Sequence, residues 1–338
     1  MRIALVAAVA AALITTPAAH AAPAVEDLGT LPGDLRSTAQ DINESGSIAG
    51  VSMGTGTAQH AVRWDRNAPI KKLNDLGFDS WSSAINSGSS VVGYVIDSAS
   101  EAQPARWDAS GALTVLTVPG AAAGVAYDIN DSGTVTGTAR INGVSHAVVW
   151  DRAGTATVFG EGSGRFITEA GWVLGFSGDQ PARWTDQGNL FVFDSPGAFL
   201  NGHNQAADAI GSVSGEGVLW VGRRRAPLGA GSSPRDLSDN GWIVGVAGNQ
   251  AVRWRAEEGT VAQPIAPAPS TANDINNAGT VAGTAGSWAV TWSSTGVQTQ
   301  LPVPSGANRS TVSGLSENDQ VIGVVGFPGN IYRAAVWR

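Results

Sequence analysis

Short stretches in which apolar residues alternate with small polar ones recur along the chain, and turns rich in Asn, Asp, Ser and Gly separate them. In the first copy of this pattern we predict strands at residues 37–42, 47–52, 60–65 and 70–73. Asn and Gly favour the positive backbone angles of hairpin turns, and Gly recurs too often for stable helices. The pattern therefore predicts an all-β protein.

The pattern repeats eight times, and every copy carries one glycine followed after nine to fourteen residues by a tryptophan. The marker glycines are Gly50, Gly93, Gly137, Gly175, Gly211, Gly245, Gly283 and Gly323. The tryptophans are Trp64, Trp107, Trp150, Trp184, Trp220, Trp254, Trp292 and Trp337. Four short strands per period of about forty residues predict an eight-bladed β-propeller of four-stranded blades. If the copy at Gly211, which lacks the usual turn glycine, is degenerate, seven blades are the alternative.

The two ends of the chain indicate how the ring closes. The last copy ends at Arg338, one residue after Trp337, and so lacks a fourth strand. Residues 25–31 resemble the fourth strands of other copies. We predict that this segment completes the last blade, which removes exposed strand edges. A tryptophan at one fixed position of every blade is expected to fill the space between neighbouring blades and not to form a ligand site.

The N-terminus has the pattern of a secretory signal peptide. Arg2 precedes an apolar run at residues 3–14, and Ala19-His20-Ala21 offers a cleavage site. The apolar run is too short to cross a bilayer as a helix. We therefore expect a signal peptide at residues 1–21, one propeller domain at residues 22–338, and an extracellular location without a membrane span.

Composition narrows the possible partners. The chain carries 20 Lys and Arg against 28 Asp and Glu, a formal net charge of −8, and it has no cysteine. An acidic protein without a basic field is not expected to bind nucleic acid, and the one basic run, residues 223–225, suits a solvated outer strand. Without cysteine, neither disulfides nor thiolate chemistry are available. We expect a monomer.

The sequence resembles the HAF-repeat family of probable extracellular proteins. The resemblance rests on His60-Ala61-Val62 and His146-Ala147-Val148 before a tryptophan, and on the segment DLGTLPGDLRSTAQDINESGSIAG at residues 27–50. Val62 and Val148 stand where the family has Phe. The resemblance extends over essentially the whole mature chain, and it implies an extracellular location and a repeat architecture, but no reaction.

Motifs for chemistry are scarce. No nucleophile elbow, zinc cluster or phosphate loop occurs, and we predict no catalytic residues, metal centre or cofactor. The turns that begin at Asp41, Asp128 and Asp236 match the first six positions of a calcium loop but lack its closing Glu. The same residue types form hairpin turns, which is the interpretation we favour, with weak calcium sites as the alternative.

Loop lengths offer the clearest hint of a site. The segment between marker glycine and tryptophan is long in copies eight, one, two and three, which are neighbours once the ring closes. Loops on a rigid scaffold often carry function, although neutral drift in loop length is the alternative. The predicted ligand-binding residues in or beside these loops are Phe78, Asp79, Trp81, Tyr94, Asp97, Glu101, Arg140, Asn142 and Tyr332.

These observations predict a secreted propeller that acts as a binding module for an extracellular carbohydrate or a protein surface. Two alternatives stay open: a polysaccharide lyase or hydrolase that uses one propeller face, and a structural protein of the cell envelope. Convergent acids or a His/Arg/Tyr cluster would favour an enzyme, and a shallow aromatic patch would favour a binding module.

Overall fold

A computed structural model describes residues 23–54, 56, 58–193, 195–256 and 261–338. The predicted signal peptide at residues 1–21 lies outside the described residues. Within the described ranges every regular element is a β-strand, as the alternating pattern predicts. None of the described residues form a helix that is long and apolar enough to cross a membrane.

The strands form six four-stranded sheets and one seven-stranded sheet, which we number as units in chain order. Unit 1 contains β2 (Arg36–Ile42), β3 (Ile48–Met53), β4 (Gln59–Trp64) and β5 (Lys71–Lys72). Unit 2 contains β6 (Ser80–Ile85), β7 (Val91–Ile96), β8 (Ala102–Trp107) and β9 (Leu113–Val115). The seven-stranded sheet holds units 3 and 4: β10 (Ala121–Ile129), β11 (Val135–Ile141), β12 (Val144–Trp150), β13 (Ala156–Ile167), β14 (Val173–Ser177), β15 (Gln180–Trp184) and β16 (Leu190–Val192).

The remaining sheets follow the same plan. Unit 5 contains β17 (Phe199–His203), β18 (Ala209–Val213), β19 (Glu216–Val221) and β20 (Arg224–Ala230). Unit 6 contains β21 (Ser232–Leu237), β22 (Trp242–Ala247), β23 (Gln250–Arg255) and β24 (Gln263–Pro264). Unit 7 contains β25 (Ser270–Ile275), β26 (Val281–Ala285), β27 (Trp288–Trp292) and β28 (Gln298–Gln300). Unit 8 contains β29 (Arg309–Leu315), β30 (Val321–Phe327), β31 (Ile331–Trp337) and the N-terminal β1 (Val25–Asp27).

The N-terminal strand joins the last sheet, as the sequence predicts. β1 pairs antiparallel with β31, with Val25 opposite Trp337. The strand is shorter than the predicted segment 25–31 because the side chain of Asp27 accepts the N–H of Gly29 at 2.9 Å and turns the chain. Unit 5, the weakest copy in the sequence, has all four strands; Ala207, with a φ of 58°, occupies the left-handed turn position that five other copies give to glycine.

The marker glycines and the repeated tryptophans form one packing device. All eight tryptophans are at most 3% exposed. A Cβ on Gly137 would lie 2.9 Å from the Trp150 ring and 2.1 Å from the carbonyl oxygen of Val125. Gly50, Gly211 and Gly283 are covered by their tryptophans in the same way. The glycine is therefore needed because a flat ring and a neighbouring strand occupy the space of a side chain.

The first strands of the units contact one another around a common axis, and β2 contacts both β6 and β29. In each unit, the pairing between the first and second strands shifts by one residue just after the residue that pairs with the marker glycine. One residue of each first strand therefore has no partner in the second strand. We call these residues the bulge positions; they are Gln40, Ser83, Tyr127, Arg165, Asn201, Arg235, Asn273 and Ser313. Bulges of this kind redirect a side chain, and here the side chains of Asn201, Arg235, Asn273 and Ser313 bond to the first strand of the next unit.

A second set of contacts links the turns between first and second strands. In units 2 to 8, one turn residue donates its backbone N–H to the side chain of the corresponding residue in the next unit. The seven links are Ser87 to Asp131, Asp131 to Glu169, Glu169 to Gln205, Gln205 to Asp239, Asp239 to Asn277, Asn277 to Glu317, and Glu317 to Glu44, at 2.8–3.0 Å. The last link joins unit 8 to unit 1. We call this set the turn belt.

Candidate functional site

The two ends of the units differ. One end carries the turn belt, and the other carries the hairpins between second and third strands, which we call the hairpin end. In units 1, 2 and 8 these hairpins have loops of three to five residues, at 54–58, 97–101 and 328–330, and in unit 3 the two strands are seven residues long. Units 4 to 7 have two-residue turns, and the strands beside these turns are five or six residues long. The predicted asymmetry is therefore present, with the long hairpins on neighbouring units.

Trp81 and Tyr94 form an aromatic pair at the hairpin end. They lie opposite each other on β6 and β7, and both are partly exposed. Trp81 thus differs from the eight buried tryptophans. Nearby, Phe78 is 47% exposed, and Asp79 accepts the N–H of Gln59 from unit 1 at 3.1 Å. Burial raises the pKa of Tyr94, and the charge of Asp79 adds to the effect, so the phenol stays neutral and able to donate a hydrogen bond.

Four of the predicted site residues stabilise the hairpins themselves. Asp97 accepts the N–H groups of Glu101 and Ala99 and the side-chain amide of Gln103; the Glu101 bond is the main cause that lowers the Asp97 pKa. Glu101 forms an ion pair with Arg140 across units 2 and 3. Asn142 has a φ of 51° in the two-residue turn of unit 3, a conformation that Asn tolerates. These contacts account for the residue types without a ligand.

Tyr332 lies at a different boundary from the aromatic pair. Its hydroxyl is 3.9 Å from the sulfur of Met53, and the Arg36 guanidinium is 5.4 Å from its ring centroid. These contacts place it between units 8 and 1. The nine predicted residues are therefore distributed along the long-hairpin half and do not converge on one point.

Two residues that the sequence argument did not select extend the aromatic pair. Tyr127 and Arg165 occupy the bulge positions of units 3 and 4, and the Arg165 guanidinium lies 4.3 Å from the Tyr127 ring centroid. Tyr127 is also close enough to Tyr94 to affect its pKa. We call the group of Trp81, Tyr94, Tyr127 and Arg165, which belong to units 2 to 4, the aromatic ridge. The residue before the Asp varies among the copies that carry this Asp, a signal that could have located Tyr127 but not Arg165, which precedes Phe166.

Three carboxyl groups with raised pKa values lie nearer the turn belt. Asp41, Asp128 and Asp274 each accept a backbone N–H of the following unit at 2.7–2.8 Å, from Ile85, Ile167 and Leu315 respectively. Burial among the first strands raises the pKa of Asp41 to about 6 and that of Asp128 to about 7. Burial and the adjacent Asp236 raise the pKa of Asp274 as well. These carboxyls connect neighbouring units, and Asp128 directly follows Tyr127 of the aromatic ridge in sequence.

The same contacts bear on the calcium alternative. In the turns at Asp41 and Asp128, one carboxylate oxygen accepts the N–H of the next residue and the other accepts an N–H of the neighbouring unit. Asp236 accepts the N–H of Ile275 at 2.9 Å. Both oxygens of Asp41 and Asp128 are therefore already engaged in connecting units. In the part of the chain that the structure describes, no group of three or more His, Asp and Glu side chains is arranged to hold a metal ion.

The raised pKa values predict an unusual pH dependence of stability. A carboxyl with a raised folded-state pKa stabilises the fold fully below its unfolded-state pKa, and this contribution disappears as the pH rises through the folded value. We expect the melting temperature to rise when the pH is lowered from about 8 to about 5. Burial lowers the pKa of His203 to about 4, so this group acts in the opposite direction. It is a single group, whereas three aspartates favour stability at low pH.

The Asp128→Asn variant tests this expectation by differential scanning calorimetry across that range. It should lose much of the change near neutral pH, because Asp128 titrates at about 7. Asp186→Asn, at an exposed turn, is the matched control and should keep the wild-type profile. A melting temperature that is flat or falls on acidification would contradict the assignment.

Comparison with known proteins reveals the fold and little else. No family model and no curated protein matches the chain. Among solved structures, oligogalacturonate lyase from Vibrio parahaemolyticus superposes with a TM-score of 0.55 at 10% identity, covering 94% of this chain and 97% of that one. Virginiamycin B lyase from Staphylococcus aureus, with quinupristin, gives 0.54 at 10% identity, covering 93% and 99%. An oligogalacturonate lyase in complex with manganese gives 0.53 at 11% identity, covering 93% and 92%.

These neighbours are propeller proteins, so the chain has a propeller-like, all-β fold built of four-stranded sheets. At such low identity, the likeness extends to the fold and not to a site.

Proposed function

We propose that this protein is a secreted eight-bladed β-propeller that binds an extracellular carbohydrate through its hairpin end. The observation that carries the proposal is the aromatic ridge, where Trp81 and Tyr94 remain partly exposed while all eight repeated tryptophans are buried. Sugar rings stack on aromatic faces and need directional hydrogen bonds beside them. The neutral phenol of Tyr94 provides such a donor.

The turn belt supports the count of eight blades. Its links involve one residue in each of eight units, and the link from Glu317 to Glu44 returns to the first unit. The seven-stranded sheet divides naturally at Gly160 and Gly162, whose φ values of 129° and 135° bend β13 between its pairing with β12 and its pairing with β14. On this proposal units 3 and 4 are two blades that share one continuous strand.

Secretion is supported by the N-terminal pattern of Arg2, an apolar run and a small-residue cleavage site. An exported protein without cysteine has to be held together by its core and its hydrogen bonds. The buried tryptophans and the inter-unit bonds described above are devices of that kind. The resemblance to HAF-repeat proteins agrees with an extracellular location.

Replacing Trp81 by Ala tests the binding surface. We expect the variant to fold, because Trp81 is partly exposed and is not one of the repeated wedges, and to lose most of its retention on extracellular polysaccharides in a pull-down. Loss of one stacked aromatic ring should weaken binding by about tenfold. Circular dichroism and the melting temperature establish folding.

Phe199→Ala is the matched control for Trp81→Ala. Phe199 precedes the residue that pairs with its marker glycine, as Trp81 does, but it belongs to unit 5, on the half with short hairpins. It is 68% exposed, so its removal should leave both folding and retention unchanged. Equal losses in both variants, or an unfolded Trp81 variant, would contradict a site on the long-hairpin half.

A polysaccharide lyase is the second candidate, favoured by one observation. The phenol of Tyr127 and the cation of Arg165 lie together. Elimination from an acidic sugar needs a proton-transferring group and a cation that stabilises the negative charge developing on the substrate. The appearance of an unsaturated product in ultraviolet absorbance would establish this activity. Retention without product, lost in Trp81→Ala, would assign binding alone.

A further inference from the structure

A cleft opens between units 3 and 4 at the hairpin end. Its volume is about 410 Å³, and its lining includes Tyr127, Thr138, Ser145, the acidic Glu161, Ser163, Arg165 and Phe176. Ser163 and Phe176 are cross-strand partners on β13 and β14, whereas Thr138 and Ser145 belong to β11 and β12. The cleft therefore lies where the two blades diverge, and it continues the aromatic ridge away from Trp81.

Arg165 supplies a positive charge that the protein itself leaves free. The residue is exposed, and within the described ranges its guanidinium contacts the Tyr127 ring but forms no ion pair or side-chain hydrogen bond. Arg235, at the bulge position of unit 6, is different because it donates to the side-chain oxygen of Asn273 at 2.8 Å. Stacking on Tyr127 fixes the plane of the Arg165 guanidinium, and its N–H groups remain available to donate hydrogen bonds to a ligand.

Hydroxyl groups beside Arg165 add hydrogen-bonding capacity. The Thr138 hydroxyl oxygen is buried, and no hydrogen-bond partner for it exists in the described part of the chain. A buried polar group without a partner costs free energy, so a ligand or water that reaches it is favoured. Ser145 and Ser163 line the same cleft, and Phe176 offers an apolar surface.

We propose that this cleft binds the carboxylate of a uronic acid residue, so that the ligand of the hairpin end is an acidic polysaccharide. The inference rests on the proposed binding function and names its substrate class. The planar guanidinium of Arg165 matches a carboxylate in a bidentate arrangement. The Ser145 and Ser163 hydroxyls face the sugar hydroxyls, and Tyr127 and Phe176 contact the ring. Neighbouring sugars of the chain extend along the ridge to Tyr94 and Trp81.

The experiment compares two forms of one ligand: an oligosaccharide of uronic acids, and the same oligosaccharide with its carboxylates methyl-esterified. Affinities for both are measured by calorimetry at low and at raised salt for four proteins: the wild type, R165Q, W81A and R235Q. R235Q is the matched control, because it removes an arginine from a bulge position outside the cleft. Melting temperatures verify that every variant folds.

We expect the wild type to prefer the charged oligosaccharide about tenfold, with a preference that weakens as salt rises. R165Q should remove this preference while it retains the weaker binding of the ester, and R235Q should bind as the wild type does. W81A should weaken binding of both forms.

Other outcomes separate the two proposals. If W81A weakens binding but R165Q binds the charged form as tightly as the wild type does, the assignment of the carboxylate to Arg165 is wrong and the binding surface stands. If the wild type prefers the ester, the acidic class is wrong. If neither form binds the wild type, the proposed carbohydrate ligand fails together with this inference.

Discussion

Deleting residues 25–31 is expected to destabilise the whole protein strongly. β1 is the fourth strand of unit 8, and without it the backbone groups of β31 form an open edge. Ala24 and Arg338 exchange two backbone hydrogen bonds at 2.9 and 3.0 Å beside this pair, and Leu28 donates to the carbonyl of Ala334 at 2.9 Å. Leu28 also belongs to the core shared with unit 1. At about 1 kcal/mol for each backbone bond, plus the lost core contact, we expect a fall in melting temperature on the order of 10 °C.

A matched variant separates the strand from its surface charges. Glu26 and Asp27 pair with Arg338 and Arg333, and these ion pairs are largely exposed. The double variant Glu26→Ala and Arg333→Ala keeps the strand and the bond from Gly29 to Asp27 but removes both pairs, which should cost at most about 1 kcal/mol each. Calorimetry and size-exclusion chromatography compare the deletion variant and the double variant side by side. An unchanged melting temperature after the deletion would contradict the closing role of β1.

Much of the fold could be predicted because every copy of the repeat contains the residues that pack against one another. A buried ring needs a residue without a side chain opposite it, so every copy keeps one Gly and one Trp at related positions, and these pairs identify the units. The pairing of residue 25 onward with the last strand followed from the same count. The length of β1 could not be predicted in this way, because it depends on the bond from Gly29 to the Asp27 side chain, which is local.

The continuous strand β13 was beyond the sequence argument. The other units are separated by residues that lie outside the strands. Between units 3 and 4, Gly160 and Gly162 instead adopt positive φ values that allow one twelve-residue strand to serve two sheets. Glycine in a strand-like segment indicates a bend, but many segments here contain glycine, so composition alone does not select this one.

The candidate site was predicted only in part, for a physical reason. Loop length and aromatic content selected Trp81 and Tyr94, and both residues are partly exposed at the hairpin end. The polar loop residues Asp97 and Asn142 have the composition that a binding loop has, but they stabilise turns. Tyr127 and Arg165 lie 38 residues apart in sequence and meet only because both occupy bulge positions of neighbouring units. Such a meeting depends on register, which a single sequence does not reveal.

Replacing Gly137 by Ala should destabilise the protein more than any surface substitution. The added methyl would lie 2.1 Å from the carbonyl oxygen of Val125 and 2.9 Å from the Trp150 ring. Neither neighbour can move easily, because the carbonyl belongs to the adjacent strand and Trp150 is fully buried with its indole N–H directed at the carbonyl of Thr117. Overpacking of this severity should lower the free energy of unfolding by about 3 kcal/mol or more, measured by urea denaturation.

Gly88→Ala provides the matched control for Gly137→Ala. Gly88 lies in a turn of unit 2, its φ is not positive, and the nearest atom to an added methyl is the side-chain oxygen of Asn86 at 3.4 Å. Its replacement should change stability by no more than about 0.5 kcal/mol. The cost of Gly137→Ala should also shrink in a Trp150→Ala background, because part of the clash is then gone and the two changes are not additive. Equal losses of unfolding free energy at Gly137 and Gly88 would mean that the tryptophan does not require a glycine beside it. The packing of glycine against tryptophan inferred from the repeat would then be wrong.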